Sequence, residues 1–149
     1  MLKLKDDCKL VRPTLFVGVP RIFNRIVEKV KDQFGEATGI KKCIVDSAVS
    51  SKTQGIEKDG DLHAGLYDAV VFNKVKEAFG GRIKKMISGS APLSKESFVF
   101  MQMIMSAPMY EGYGQTENTA AAFIRSLDDK SIGHVGGVVV NLFFILRQT

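Results

Sequence analysis

The segment Glu111-Gly112-Tyr113-Gly114-Gln115-Thr116-Glu117 holds most of the chemistry this sequence offers. Glycines on both sides of Tyr113 permit a sharp turn and a close approach of the backbone to a ligand. The aromatic face between them suits stacking on a flat base. Thr116 brings a hydroxyl that can bond a phosphate oxygen, and Glu117 brings a hard carboxylate oxygen for Mg²⁺, the ion that accompanies nucleoside triphosphates. The combination fits nucleotide binding without a P-loop lysine. Read alone, Gly-Tyr-Gly equally suits an ordinary turn around a packed tyrosine, and Thr-Glu suits the start of a helix.

A second run of small residues, Gly89, Ser90, Ala91 and Pro92, would also admit a ligand such as a purine ring, or simply turn the chain into a helix. Other candidates are weaker. His63 reads as a solvent-facing residue of a polar loop, and His134, within Gly-His-Val-Gly, reads as fixing a turn rather than serving as a base. Met101, Met103 and Met105 could line an acyl channel, but methionines in an apolar helix usually fill core space. Cys8 and Cys43 stand far apart without zinc-like spacing, so a reducing, cytoplasmic setting is expected.

Both runs need elements to position them. Thr14 to Val19 reads as a buried strand closed by Pro20, and Ile22, Phe23, Ile26, Val27 and Val30 recur at helical spacing directly after it. A helix with frayed ends is expected within Ile40 to Ile56, and a firmer one from Tyr67 to Phe79, stopped by Gly80-Gly81. Ile83 to Ile87 reads as a strand leading into Ser88 and the small-residue run. Ser94, followed by Glu96 in the first turn, starts a further helix that Pro108 ends. Met109 and Tyr110 are extended, and Thr119 to Ile124 reads as another strand. Strands alternating with amphipathic helices predict an α/β fold with a largely parallel sheet, whose post-strand loops gather at one edge. The two candidate loops would then meet.

Composition restricts the alternatives. The chain has 149 residues, 45% hydrophobic and 25% charged, which suits one globular domain. Its net charge of +5 comes from Lys and Arg scattered among acids, which argues for solvated surface rather than nucleic-acid binding. The most apolar stretch, Val135 to Leu146, contains two glycines and an asparagine and falls short of the roughly 20 residues of a membrane span.

Together these segments resemble the adenylate-forming superfamily, and within it the long-chain fatty acid CoA ligases. The matching blocks are Arg12 to Ile26, Phe72 to Val75 with Gly80-Gly81-Arg82, Ser88 to Leu93, Tyr110 to Glu117, and Gly133 to Gly136. The resemblance implies that Gly89 to Pro92 and Glu111-Gly112 border adenine, with Gly114 beside them. Tyr113 would stack on the base, Thr116 would hold phosphate and Glu117 would ligate Mg²⁺, which makes Thr116 and Glu117 the catalytic candidates. The implied reaction joins a fatty carboxylate to the α-phosphate of ATP, releasing pyrophosphate, after which the CoA thiol displaces AMP. Charge gathers on phosphate oxygens in both steps, so positioning and neutralisation would carry much of the catalysis.

The family's Ser/Thr- and Gly-rich phosphate loop, its ribose-binding aspartate and its small C-terminal domain with an assisting lysine have no counterpart here. Residues 1–149 are therefore expected to be a partial adenylation domain, inactive in isolation. Two alternatives are a non-catalytic remnant acting as an interaction module and a fragment of another acyl- or aryl-CoA ligase. Peripheral membrane association is expected only by analogy with the family. Phe143 to Leu146 would form a strand or an exposed apolar patch.

Overall fold

A computed structural model describes residues 2–63, 65–118, 121–126, 129 and 131–139. Helix α1 (Leu2–Val11) leads to strand β1 (Leu15–Gly18), helix α2 (Pro20–Gly35) and helix α3 (Ile40–Asp59). A π-helical turn (Asp68–Phe72) runs into α4 (Asn73–Ala78), followed by β2 (Lys85–Ser88), α5 (Lys95–Met105) and β3 (Met109–Tyr113). A 3₁₀ turn (Thr116–Asn118) and two short strands, β4 (Phe123–Ile124) and β5 (Gly137–Val138), complete the described elements.

The strands form one sheet in the order β1-β2-β3-β4-β5. The β1–β2 and β2–β3 pairs are parallel, whereas β3–β4 and β4–β5 are antiparallel. The α/β expectation holds, and the sheet is mixed rather than parallel throughout. The change of direction follows from connection length: α2 to α4 and α5 supply crossovers for the parallel pairs, while the short link after β3 only permits a reversal. Of the stretch expected as strand from Thr119, only Phe123 and Ile124 are strand, and Thr119, Ala120 and the apolar run Phe143 to Leu146 lie outside the described residues.

Helix α2 forms for the reasons its sequence states. Pro20 occupies the first turn, where its missing N–H costs nothing, and Phe23, Ile26, Val27 and Val30 make one buried stripe. Phe23 meets Phe16 of β1 edge to face, with ring centroids 5.7 Å apart. Helix α5 starts where Ser94 accepts the Ser97 N–H at 3.2 Å. Phe98, Val99, Met101, Met103, Ile104 and Met105 are all buried, along with Gln102, so beyond its first turn the helix sits centrally among α2, α3 and α4. The alternating methionines are core.

Helix α3 buries Ala48, Lys52 and Ile56 at four-residue intervals. The Lys52 ammonium is paired with Asp68, bonds Ser106 Oγ at 2.6 Å and lies 4.3 Å from the centre of the Phe72 ring. This buried cation ties α3 to the π-helical turn and to the end of α5. The helix expected over Tyr67 to Phe79 is thus two pieces, with Tyr67 as the cap of the first and Gly80 and Gly81 closing the second in left-handed conformations. His63 is exposed, as its polar loop implied. Cys8 is buried and Cys43 exposed, both as free thiols.

Candidate nucleotide cleft

Parallel pairing aligns Ser88, the last residue of β2, with Glu111 in the middle of β3, so the loop after β2 emerges beside the end of β3. They line one cleft of about 400 Å³, with walls formed by Ser88 and Ser90 to Leu93, by Glu111 to Gly114, and by Gly133 to Val135. The two candidate runs do converge.

Glu111 links the first two walls. Its side chain is buried, and its Oε1 accepts the backbone N–H of Leu93 at 3.2 Å. Gly112 lies inside β3, and neither it nor Gly114 takes a left-handed φ, so the sharp turn expected around Tyr113 is absent. The strained backbone lies instead at Ser90, with φ of 74°. Tyr113 is 47% exposed and tilts against Phe123 with ring centroids 6.0 Å apart, which leaves ring surface on the cleft.

Gly89 sits between β2 and the cleft-lining residues without lining the cleft itself. Thr116 and Glu117 occupy the exposed 3₁₀ turn just beyond Gly114, outside the cleft lining. Among the described residues no group of three or more His, Cys, Asp or Glu gathers as a metal site. A lone, exposed carboxylate is nonetheless a donor set that suits Mg²⁺, which takes one or two carboxylates together with phosphate oxygens and water.

The third wall is built by a compact polar network. His134 Nδ1 accepts the Gly136 N–H at 3.0 Å, which puts the neutral ring's proton on Nε2, facing Ser131 Oγ at 2.6 Å and Asp129 Oδ2 at 3.2 Å. With its acceptor nitrogen spent on the backbone, His134 fixes a turn, as its motif implied. Asp129 also accepts the Ser131 N–H at 2.9 Å, and the bonds from Ser131 hold its carboxyl below the usual carboxylate range.

Two residues here were not singled out by sequence. Ser88 is 1% exposed and its hydroxyl has no hydrogen-bond partner among the described residues. Strand alternation carried that signal, since Ser88 falls on the same side as the buried Met86. Arg125 is buried, bonding the Met109 carbonyl at 2.8 Å and the Ser131 carbonyl at 2.6 Å. Burial pulls its pKa down from the ordinary arginine value, opposed by Asp129, Glu111 and Tyr110. An isolated arginine after Phe123-Ile124 carries no sequence signal of such partners.

The model of the AMP-binding enzyme family matches residues 2–145. The chain belongs to this family. Among curated relatives, long-chain-fatty-acid–CoA ligase 5 of Rattus norvegicus is 38% identical over 133 residues, covering 89% of this chain and 19% of the relative. Long-chain-fatty-acid–CoA ligase 1 of Homo sapiens is 37% identical, with 89% and 19% covered. Long chain acyl-CoA synthetase 7, peroxisomal, of Arabidopsis thaliana is 37% identical, with 91% and 19% covered. The chain thus spans about a fifth of the length of these relatives. Among solved structures, the adenylation domain of a carboxylate reductase from Mycobacterium chelonae superposes with a TM-score of 0.54 at 26% identity, covering 79% of this chain and 15% of that one. An anthranilate CoA ligase in complex with anthranoyl-AMP gives a TM-score of 0.55 over 93% of this chain and 19% of that one; at 14% identity it speaks to the fold alone. No helix among the described residues is long and apolar enough to cross a membrane.

Proposed function

We propose that this chain is part of a long-chain fatty acid–CoA ligase and contributes the base-binding half of its ATP site, as a partial adenylation domain spanning residues 1–149. The observation that carries the proposal is the convergence of three separated segments, 88–93, 111–114 and 133–135, on one cleft. Its volume of about 400 Å³ falls in the range of small-ligand sites. The buried, unpartnered Ser88 hydroxyl supports the same reading, because such groups are normally satisfied by a ligand or water.

In this reading Ser90 to Pro92 and Glu111-Gly112 border the adenine of ATP, with Gly89 and Gly114 behind and beside them, and the exposed Tyr113 ring stacks on it. Thr116 donates its hydroxyl to a phosphate oxygen, and Glu117 would hold Mg²⁺, which neutralises phosphate charge when bound. Fatty acid and CoA are the co-substrates. In this reading the acyl-AMP and thioester steps also use a phosphate loop and an assisting lysine besides the residues named here. A cytoplasmic location with peripheral membrane contact accompanies this assignment.

Calorimetry of the chain with ATP and Mg²⁺ tests it. Binding is expected, weakened by Ser88→Ala, Thr116→Ala and Glu117→Ala, while palmitate, ATP and CoA together should give no acyl-CoA. Absence of binding, or binding indifferent to all three substitutions, refutes the ATP-site assignment. Sustained turnover by the chain alone refutes its dependence on the missing groups.

A further inference from the structure

We propose that Arg125 is the positioning residue of the cleft, a clamp that sets the 133–135 wall against β3. The guanidinium reaches in two directions. One nitrogen bonds the carbonyl of Met109, the first residue of β3, at 2.8 Å, and another bonds the carbonyl of Ser131, which precedes the wall, at 2.6 Å. Beyond the wall, Gly136 packs directly on the backbone of Arg125: a Cβ there would lie 2.4 Å from Arg125 Cα. Both ends of the wall are thus pinned to one residue. The Arg125 N–H also donates to the Glu111 carbonyl at 3.2 Å, so the pin and the other cleft wall share a strand pairing.

The guanidinium cannot drift. The rings of Phe98 and Tyr110 flank it, with centroids 4.8 and 5.8 Å away, and the side chain is buried. A planar donor fork held between rings suits two carbonyls lying in different directions, a task the single ammonium of lysine performs poorly. Arg125 does not line the cleft, so its effect on a ligand passes through Gly133, His134 and Val135.

The consequence for nucleotide binding rests on the reading of the cleft given above, whereas the clamp itself is independent of any ligand. Arg125→Lys and Arg125→Met separate the two. Amide exchange at Ser131 and Gly136 should rise roughly tenfold or more in both variants, as expected for losing a charge-assisted hydrogen bond, more weakly with lysine. Exchange at Lys85, whose amide donates to the Thr14 carbonyl beside β1, should stay unchanged. Affinity for ATP with Mg²⁺ should fall by a similar factor, and Arg125→Lys should recover part of it. If Arg125→Met does not fold, Arg125→Lys decides. Unchanged exchange at Ser131 and Gly136, or a rise shared equally by Lys85, overturns the clamp. Unchanged ATP affinity in variants that exchange faster overturns its role in the site. A wild-type chain that binds no ATP overturns the nucleotide reading while leaving the exchange test of the clamp in force.

Discussion

The carboxylate of Glu111 accepts the backbone N–H of Leu93 at 3.2 Å and so fastens the loop after β2 to the strand that carries Tyr113. Both residues are buried. Glu111→Ala should cost about 1–3 kcal/mol by leaving the Leu93 N–H unsatisfied. Glu111→Gln keeps an accepting oxygen and should cost less. Denaturant unfolding of the two variants gives the comparison, and equal stabilities would mean the bond does not hold the loop.

Gly136 has φ of +85°, and a Cβ there would meet the Ile124 carbonyl oxygen at 2.3 Å and Arg125 Cα at 2.4 Å. Neither obstacle is a flexible side-chain end. Gly136→Ala should therefore destabilise by more than the ~1 kcal/mol of an unfavourable backbone conformation alone. Gly133→Ala, with φ of +98° but open space around it, should carry only the conformational part. A thermal-unfolding comparison that ranks them in the opposite order would contradict the packing of Gly136 on Arg125.

Lys52 has a fully buried side chain paired with Asp68, whose own is 17% exposed. Removing the ammonium in Lys52→Met takes an ion-pair partner from Asp68, which still accepts from Ser106 Oγ at 3.1 Å, and should cost about 3 kcal/mol, whereas Lys52→Met with Asp68→Leu should restore most of it. Burial lowers the Lys52 pKa despite Asp68, so the folded state disfavours the protonated lysine. Its contribution to stability consequently rises with pH between that lowered value and the ordinary lysine range near ~10.4. A pH series of the wild type against Lys52→Met reads this directly.

Asp129 carries the opposite dependence. Its folded pKa lies below the ordinary value because Ser131 donates to it from both hydroxyl and backbone. The stabilisation is complete above the unfolded aspartate value of about 3.9 and disappears as pH falls through the lower folded value. Asp129→Asn should flatten that limb of the acid-unfolding curve. An unchanged curve would remove Asp129 from the wall.

Local chemistry made much of the fold legible. Pro20 with the Phe23–Val30 stripe marks α2, Ser94 marks the start of α5, and the β-branched and aromatic run at Leu15–Gly18 marks β1, although this strand is not buried as expected: at one end of the described sheet it buries Phe16 and leaves Leu15 and Val17 exposed. Helix α1 was not anticipated, since its moderate alternation of lysines and leucines buries Cys8 through contacts with distant residues. The π-helical turn depends on Asp68 reaching Lys52, 16 positions away, and β4 and β5 have only two residues each, too few to show a period. The cleft divides in the same way. Its glycine-rich walls are motifs, whereas the Ser88 hydroxyl, the Glu111–Leu93 bond and the Arg125 fork arise from partners the chain assembles only on folding.

The central claim is that an adenine nucleotide occupies the cleft between the ends of β2 and β3. Titrating the ¹⁵N-labelled chain with ATP and Mg²⁺ tests it residue by residue. Shift changes should concentrate at Ser88 to Leu93, Glu111 to Gly114 and Gly133 to Val135, extend to Thr116 and Glu117, and leave unmoved a separate groove that Ile26 and Phe34 of α2, Ile44 of α3 and Val70 of the π-helical turn line. No shifts, or shifts centred on that groove, would contradict the claim.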